Sequence, residues 1–433
     1  MDSTTISIIS IAILFVLMAI GVPIFVSLGV VSIAGIILLQ GFDALSAVPG
    51  VMYDRMASFT LIAVPLFILM GEIIFVSGLG SDIYRSIRIS LRRIRGSLAI
   101  ASVFACAVFG AMCGVSLAGA ATIGKFAIPE MLKAGYDKSV ATGVVASAGS
   151  LALLIPPSVG LILYGLVAGE SVGFLFIAGV IPGIIVTLMM MAYLLILGWY
   201  KPELMPTVEL SELEEENYVN PWIVTIPALL LVFAVLGSIY FGIATPSESA
   251  AVGCLGALLI AGYKRVLTTP LLFKVLRDAT RTTGMILAIL SSALVYGYLL
   301  TRLRIPQELV GWIVDQSFNQ YTVLIAMFLL LIVMGMFMDV VSVILIATPL
   351  LLPIIKTFGY DPIWFGIVMV IVCEMAVITP PVGLNLFVIQ GISPGNISIG
   401  TVARGSFPYF LLLILAVILF TAFPQLVLWL PFG

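Results

Sequence analysis

The stretch IPPSVGLILYG at residues 155–165 and its counterpart ITPPVGLNLF at residues 378–387 decide the fold of this chain. Each sits inside a long apolar segment. A proline lacks an N–H and strands the carbonyl four residues earlier. Pro156-Pro157 therefore leaves Ala152 and Leu153 without helical partners, and Pro380-Pro381 does the same to Ala376 and Val377. One interior proline costs a helix about 3 kcal/mol, and an unsatisfied backbone group is dearer still in lipid. Such a break persists in a membrane where the freed groups line a polar cavity or meet an ion. Two of them, 224 residues apart, predict the two halves of one transport site.

Composition places these segments in a bilayer. The 433 residues are 62% hydrophobic and 9% charged, whereas soluble domains are about a quarter charged. The chain is read as an all-α polytopic membrane protein. Its basic residues lie in short loops between spans, which excludes nucleic acid as a partner. Cys106, Cys113, Cys254 and Cys373 all fall in apolar segments at no metal-ligand spacing and read as packing. Histidine is absent, which removes the commonest proton relay and tilts the coupling ion towards sodium. The N-terminus has no basic n-region and no small-residue cleavage site, so it reads as a first span.

Crossings are expected at 4–20, 22–39, 57–77, 138–168, 174–198, 221–241, 247–263, 283–300, 361–393 and 407–432. Two further apolar stretches, 98–131 and 322–356, carry small or polar residues at mid-length and read as re-entrant hairpins. With 78–97 on the cytoplasmic side, all but Arg55, Arg302, Arg304 and Lys356 of the 19 lysines and arginines fall inside, which obeys the positive-inside rule. Residues 81–95 put Ile83, Ile87 and Leu91 on one face among arginines and predict an interfacial amphipathic helix. Residues 305–318 repeat that pattern on the opposite side.

The repeat runs deeper than the prolines. At the same offset Pro129 meets Pro353, and Gly135-Tyr136-Asp137 meets Gly359-Tyr360-Asp361. Five crossings separate the two hairpins, so the second copy is inverted. The expected organisation is a first repeat at 1–198, an acidic cytoplasmic linker at 199–220 and a second repeat at 221–433. Each repeat holds one hairpin and one broken helix (138–168 and 361–393).

Sodium needs several oxygens close together, which broken-helix ends and glycine-rich tips supply. The first predicted site comprises Gly114, Ser116, Ser150, Ala152 and Ile155. The second comprises Gly335, Asp339, Thr379, Gly383 and Asn385. Asp339 has two readings, ion ligand and helix cap. An anionic substrate would meet the half-helix N-termini after the proline pairs, at Pro157, Ser158, Pro381, Val382 and Gly383, together with Ser116 at the first hairpin tip. Glu374 and Glu248 are buried by position, with Glu248 read as a cap, while Glu72 and Glu130 near span ends read as solvated.

AIPEMLKAGYD, IPPS, GIATPSESAAVG, GMFMD and TPPVGLNLF occur in that order, and the whole chain resembles the large membrane subunit of a tripartite ATP-independent periplasmic (TRAP) transporter. The resemblance implies a sodium-coupled, elevator-type secondary transporter in the cytoplasmic (inner) membrane of a bacterium or archaeon. It implies a small organic anion, a carboxylate or sulfonate, delivered by a periplasmic substrate-binding protein. It also implies a small four-span subunit, expected on a separate chain, and no cofactor beyond the coupling ion. The tip around Val115 and Gly119 is poorer in hydroxyls than is usual in that family. A stand-alone sodium–dicarboxylate symporter of the same architecture is the alternative. An intramembrane enzyme is disfavoured, because Asp339 has no aspartate counterpart in the other repeat.

Overall fold

The computed structural model describes residues 3–91, 94–206 and 221–433, and no strand occurs among them. The acidic stretch beyond residue 206 and Arg92-Arg93 lie outside the described residues. The chain opens with α1 (Ser3–Ala19), α2 (Ile24–Gln40), α3 (Val48–Met56), α4 (Ala63–Val76) and α5 (Leu79–Ser90). Next come the first hairpin, α6 (Ser97–Cys113) and α7 (Ser116–Lys133), and its broken helix, α8 (Lys138–Ala148), α9 (Leu151–Leu154) and α10 (Val159–Ala168). There follow α11 (Val172–Tyr200), α12 (Pro221–Tyr240), α13 (Pro246–Tyr263), α14 (Thr269–Arg302) and α15 (Ile305–Asp315). The second hairpin is α16 (Gln320–Gly335) and α17 (Val340–Thr357), its broken helix α18 (Pro362–Val377) and α19 (Leu384–Ile392), and the chain closes with α20 (Ile399–Ala422) and α21 (Gln425–Phe432). Among the described residues, five helical segments are long and apolar enough to cross a membrane alone, and the pair 138–154 and 159–168, bent by 43°, makes a sixth if it is one span.

The repeated Gly-Tyr-Asp has a local cause. Gly135 (φ 80°) and Gly359 (φ 74°) end α7 and α17 in the left-handed conformation. Tyr136 then donates to the Met131 carbonyl and Tyr360 to that of Ile355, at 2.9 and 3.2 Å, the closure that helix ends of this kind use. Asp137 caps α8 through the Ser139 N–H at 2.8 Å, and Asp361 caps α18 through Ile363 at 2.7 Å. Hydrogen bonds from Ser139 hold the Asp137 carboxyl below its usual range. One tripeptide thus stops a hairpin arm and starts a broken helix, once in each half.

Polar contacts sort the helix ends as the basic-residue count requires. On one side Lys264 pairs with Asp82, Arg88 with Glu130 at 2.8 Å, and Asp137 N–H donates to the Leu204 carbonyl at 3.0 Å. On the other, Arg55 donates to the Leu166 carbonyl at 3.0 Å, Tyr164 to that of Pro362 at 2.6 Å, and Lys356 lies 3.6 Å from Glu170. Glu130 is therefore an ion-pair partner of α5 rather than a merely solvated end.

Between helices the approach is close wherever small residues meet, as helices in lipid favour. At the α8–α20 contact a Cβ on Gly405 would stand 1.8 Å from the Ser139 carbonyl oxygen, and one on Gly143 would stand 2.1 Å from the Gly405 carbonyl carbon.

Three boundaries differ from the sequence expectation. Residues 269–282, expected as loop, are the first turns of α14, which runs 34 residues and so about 51 Å, well past a hydrocarbon core of about 30 Å. Pro270 sits in its first turn, where a proline starts rather than breaks a helix. The last expected span, 407–432, is instead α20 from Ile399 and a separate α21, divided at Pro424. The arm helices are shorter than their patterns, ending at Ser90 and Asp315.

Candidate transport site

Each hairpin tip docks on the break of its own half through the same pair of contacts. In the first half the Gly114 carbonyl accepts the Val159 N–H at 3.4 Å, and a Cβ on Gly110 would stand 2.6 Å from the Ala152 Cα. In the second the Met336 carbonyl accepts the Gly383 N–H at 3.4 Å, and a Cβ on Gly335 would stand 2.6 Å from the Ala376 Cβ. Val159 and Gly383, like Ala152 and Ala376, are 224 residues apart. The Pro156–Pro157 and Pro380–Pro381 bonds are both cis. The breaks differ in exposure: Pro156, Pro157 and Ser158 are buried, Pro380 and Pro381 exposed.

Some backbone groups expected to be stranded are satisfied. The Ala376 carbonyl accepts the Thr379 N–H at 3.0 Å, because the chain tightens into a shorter turn before the prolines. The Thr379 hydroxyl donates to the Met375 carbonyl at 2.6 Å and the Ser150 hydroxyl to that of Ser147 at 2.6 Å. Ser158 caps α10, accepting the Leu161 N–H at 3.3 Å. Asp339 caps α17, accepting the Ser342 N–H at 3.1 Å and its hydroxyl at 2.5 Å. Glu248, expected to be buried, is exposed, and it completes the expected cap as a capping box with Thr245.

Between the tips lies a cavity of about 130 Å³. Of the residues named from sequence it is lined by Gly114, Ser116, Asp339 and Asn385. Ser150, Ala152, Ile155, Gly335, Thr379, Gly383, Pro157, Ser158, Pro381 and Val382 are not in its lining; several of them belong to the docking of tips on breaks instead. Four helix N-termini converge here: Ser116-Leu117 of α7, Val159 of α10, Asp339-Val340 of α17 and Leu384-Asn385 of α19. Sequence placed the substrate at the two after the proline pairs and at Ser116, and read Asp339 as an ion ligand or a helix cap; that all four ends face one cavity is seen only in the structure. Their partial positive charge favours an anion without any lysine or arginine in the wall, while Ser158 caps α10 and the Asp339 carboxylate, itself in the lining, caps α17. α14 adds Thr282, Met285, Ile286 and Ile289 to the wall.

Asn385 corrects the predicted grouping. It was assigned to the second cluster, yet its amide donates to the Ser116 hydroxyl of the first hairpin at 3.1 Å and to the Ala146 carbonyl at 3.1 Å. Its side chain leaves its own break and crosses to the other half. Ser116 in turn donates to Glu374 Oε2 at 3.0 Å. Glu374 was noted from sequence only as buried, and Thr282 was not singled out. Among the described residues no group of three or more His, Cys, Asp or Glu could hold a metal ion.

Comparison with known proteins agrees with this geometry. The Alcanivorax borkumensis YdaH transporter has a similar fold, with a TM-score of 0.65 over 93% of this chain and 98% of its own, at 13% identity. The C4-dicarboxylate TRAP transporter large permease protein DctM of Pseudomonas aeruginosa is 36% identical over 91% of each chain. The sialic acid TRAP transporter large permease protein SiaM of Vibrio cholerae is 31% identical over 95% of each. The family described as the tripartite ATP-independent periplasmic transporter, DctM component, matches residues 11–426. With its helical hairpins and broken helices, the chain is a multi-pass membrane permease subunit and no enzyme, and it belongs to the DctM family of TRAP transporters.

Proposed function

We propose that this subunit imports a small organic anion, a carboxylate or sulfonate, driven by sodium and received from a periplasmic binding protein alongside a small membrane subunit on another chain. The four helix N-termini around one cavity carry the reading, since they attract negative charge where the wall holds no lysine or arginine. Sodium would be held at the two tip–break junctions. The donor set fits such an ion: Asp339 accepts from Ser342 and keeps lone pairs, and Thr379, having donated to Met375, presents its own. At the first junction the candidates are the Gly114 carbonyl and the Ser116 hydroxyl, with the carbonyls of Ala152 and Ile155 nearby in sequence. An elevator movement of the hairpins against α14 would expose the cavity to either side.

In proteoliposomes holding both membrane subunits, with the binding protein outside, uptake of the binding protein's ligand is expected to require an inward sodium gradient. Uptake driven equally by a proton gradient alone would overturn sodium coupling, and uptake without the binding protein would favour a stand-alone symporter. In the same assay Asp339→Asn is expected to keep expression and assembly, since asparagine caps about as well as aspartate. It should need several-fold more sodium for half-maximal uptake; an unchanged sodium dependence would leave Asp339 as a cap only.

A further inference from the structure

Glu374 is an unused ionisable group in the core of the site. It is 2% exposed, and the two residues that link it to the cavity, Ser116 and Asn385, are 3% and 0% exposed. Its Oε2 accepts the Ser116 hydroxyl, but its Oε1 has no partner, and neither do Asn385 Oδ1 and Ser147 Oγ close by. No ion pair among the described residues includes it. The helices packed against α18 offer little charge to balance it. α9, α16, α19 and α21 carry no Asp, Glu, Lys or Arg. α17 has Asp339, held by Ser342, and Lys356 at its far end by Glu170. α20 has Arg404 near its start and Tyr409, α11 has Tyr193 and Tyr200, and α10 has Tyr164, which bonds the Pro362 carbonyl. α7, reached through Ser116, has Lys125, Glu130 and Lys133 in its later turns, and the neighbouring titratable group on α18 itself is Cys373.

A carboxylate so placed would carry an uncompensated buried charge, which is strongly unfavourable. A single positive charge removes it. Glu374 lies behind Ser116 and Asn385 and is not in the lining of the central cavity, and no solvent-sized space touches Oε1. That leaves room for a proton and none for a hydrated ion. The bonding also suits a neutral acid, with Oε2 as the carbonyl that accepts from Ser116 and Oε1 as the oxygen that carries the hydrogen.

We propose that Glu374 is a proton-binding site of the transport core, holding a proton while the first hairpin is closed on α18 and giving it up when the hairpin opens. On opening, the acid O–H bond breaks and the proton passes to water entering the cavity; on closing, the carboxylate takes a proton back. Alkaline conditions then oppose closure and slow the cycle. This builds on the anion-carrying reading of the cavity, but its first test does not depend on transport.

Infrared spectra of the assembled protein in nanodiscs at neutral pH are expected to show a protonated-carboxyl carbonyl band that is absent from Glu374→Gln. If that variant fails to insert, Ser116→Ala should move the band to higher frequency, because the carbonyl loses its donor. A spectrum that keeps the band in Glu374→Gln, or an unshifted band in Ser116→Ala, overturns the proposal. At a fixed sodium gradient, wild-type uptake is expected to fall several-fold as the pH is raised from neutral, and Glu374→Gln to flatten the profile. Identical profiles in the two proteins overturn it as well. Loss of the sodium requirement alone would sink the sodium reading and leave the band untouched.

Discussion

Gly405→Ala is expected to destabilise the protein by about 3 kcal/mol or more, at the upper end for an overpacked contact. The new Cβ would stand 1.8 Å from the Ser139 carbonyl oxygen and 2.6 Å from its carbon, both backbone atoms that no rotamer change can move. α20 would have to shift off α8, in one of the closest helix contacts in the molecule. The measurement is the thermal midpoint and membrane yield of the detergent-solubilised protein. Gly262→Ala serves as the control, for nothing lies within 4 Å of its Cβ position, and in a helix that change is neutral or favourable by up to about 1 kcal/mol. Equal behaviour of the two variants would mean that the α8–α20 contact is looser than described.

Gly114→Ala is expected to leave the protein in the membrane and cut uptake on the order of tenfold. Gly114 has φ 62°, a conformation that charges a Cβ-bearing residue roughly 1–2 kcal/mol, and about 1.4 kcal/mol is a factor of ten in a population. Its Cβ would also stand 2.7 Å from the Pro157 carbonyl oxygen, lifting the tip off the break and loosening the bond to Val159. Gly21→Ala separates the two causes, since Gly21 has φ 85° but nothing within 4 Å of a Cβ. Normal uptake by Gly21→Ala beside poor uptake by Gly114→Ala would assign the loss to the tip–break contact. Full uptake by both would show that the tip does not have to close tightly.

The parts of this architecture that were legible in the sequence are those with local causes. A proline pair breaks a helix wherever it falls, and Gly-Tyr-Asp stops one helix and starts the next with its own hydrogen bonds. Hairpins and breaks could be read from such signals. The Ser116–Glu374 bond spans 258 residues and the Asn385–Ser116 bond 269. Neither leaves a periodic trace, because each depends on how the halves interlock. Asn385 was grouped with Thr379 and Gly383 because they are neighbours in sequence, whereas its side chain crosses to the opposite hairpin. The early turns of α14 were missed for a different reason. Lys274, Arg277 and Arg281 end the hydrophobic run, but a helix in water needs no apolar face all round, so hydropathy marked where the lipid stops and not where the helix does.

The wall of the central cavity has an electrical consequence. Leu117, Leu153, Val159, Ile286, Val377 and Leu384 share the wall of a space of about 130 Å³ with Ser116, Thr282, Asp339 and Asn385. Side chains so apolar lower the local dielectric, and charges there act on one another far more strongly than in water. The few polar groups in the wall therefore set which sign of charge is admitted, and the leucines and valines set how sharply. Substituting a polar residue for Leu117 or Val159 would bring in water, screen those groups and blunt the discrimination.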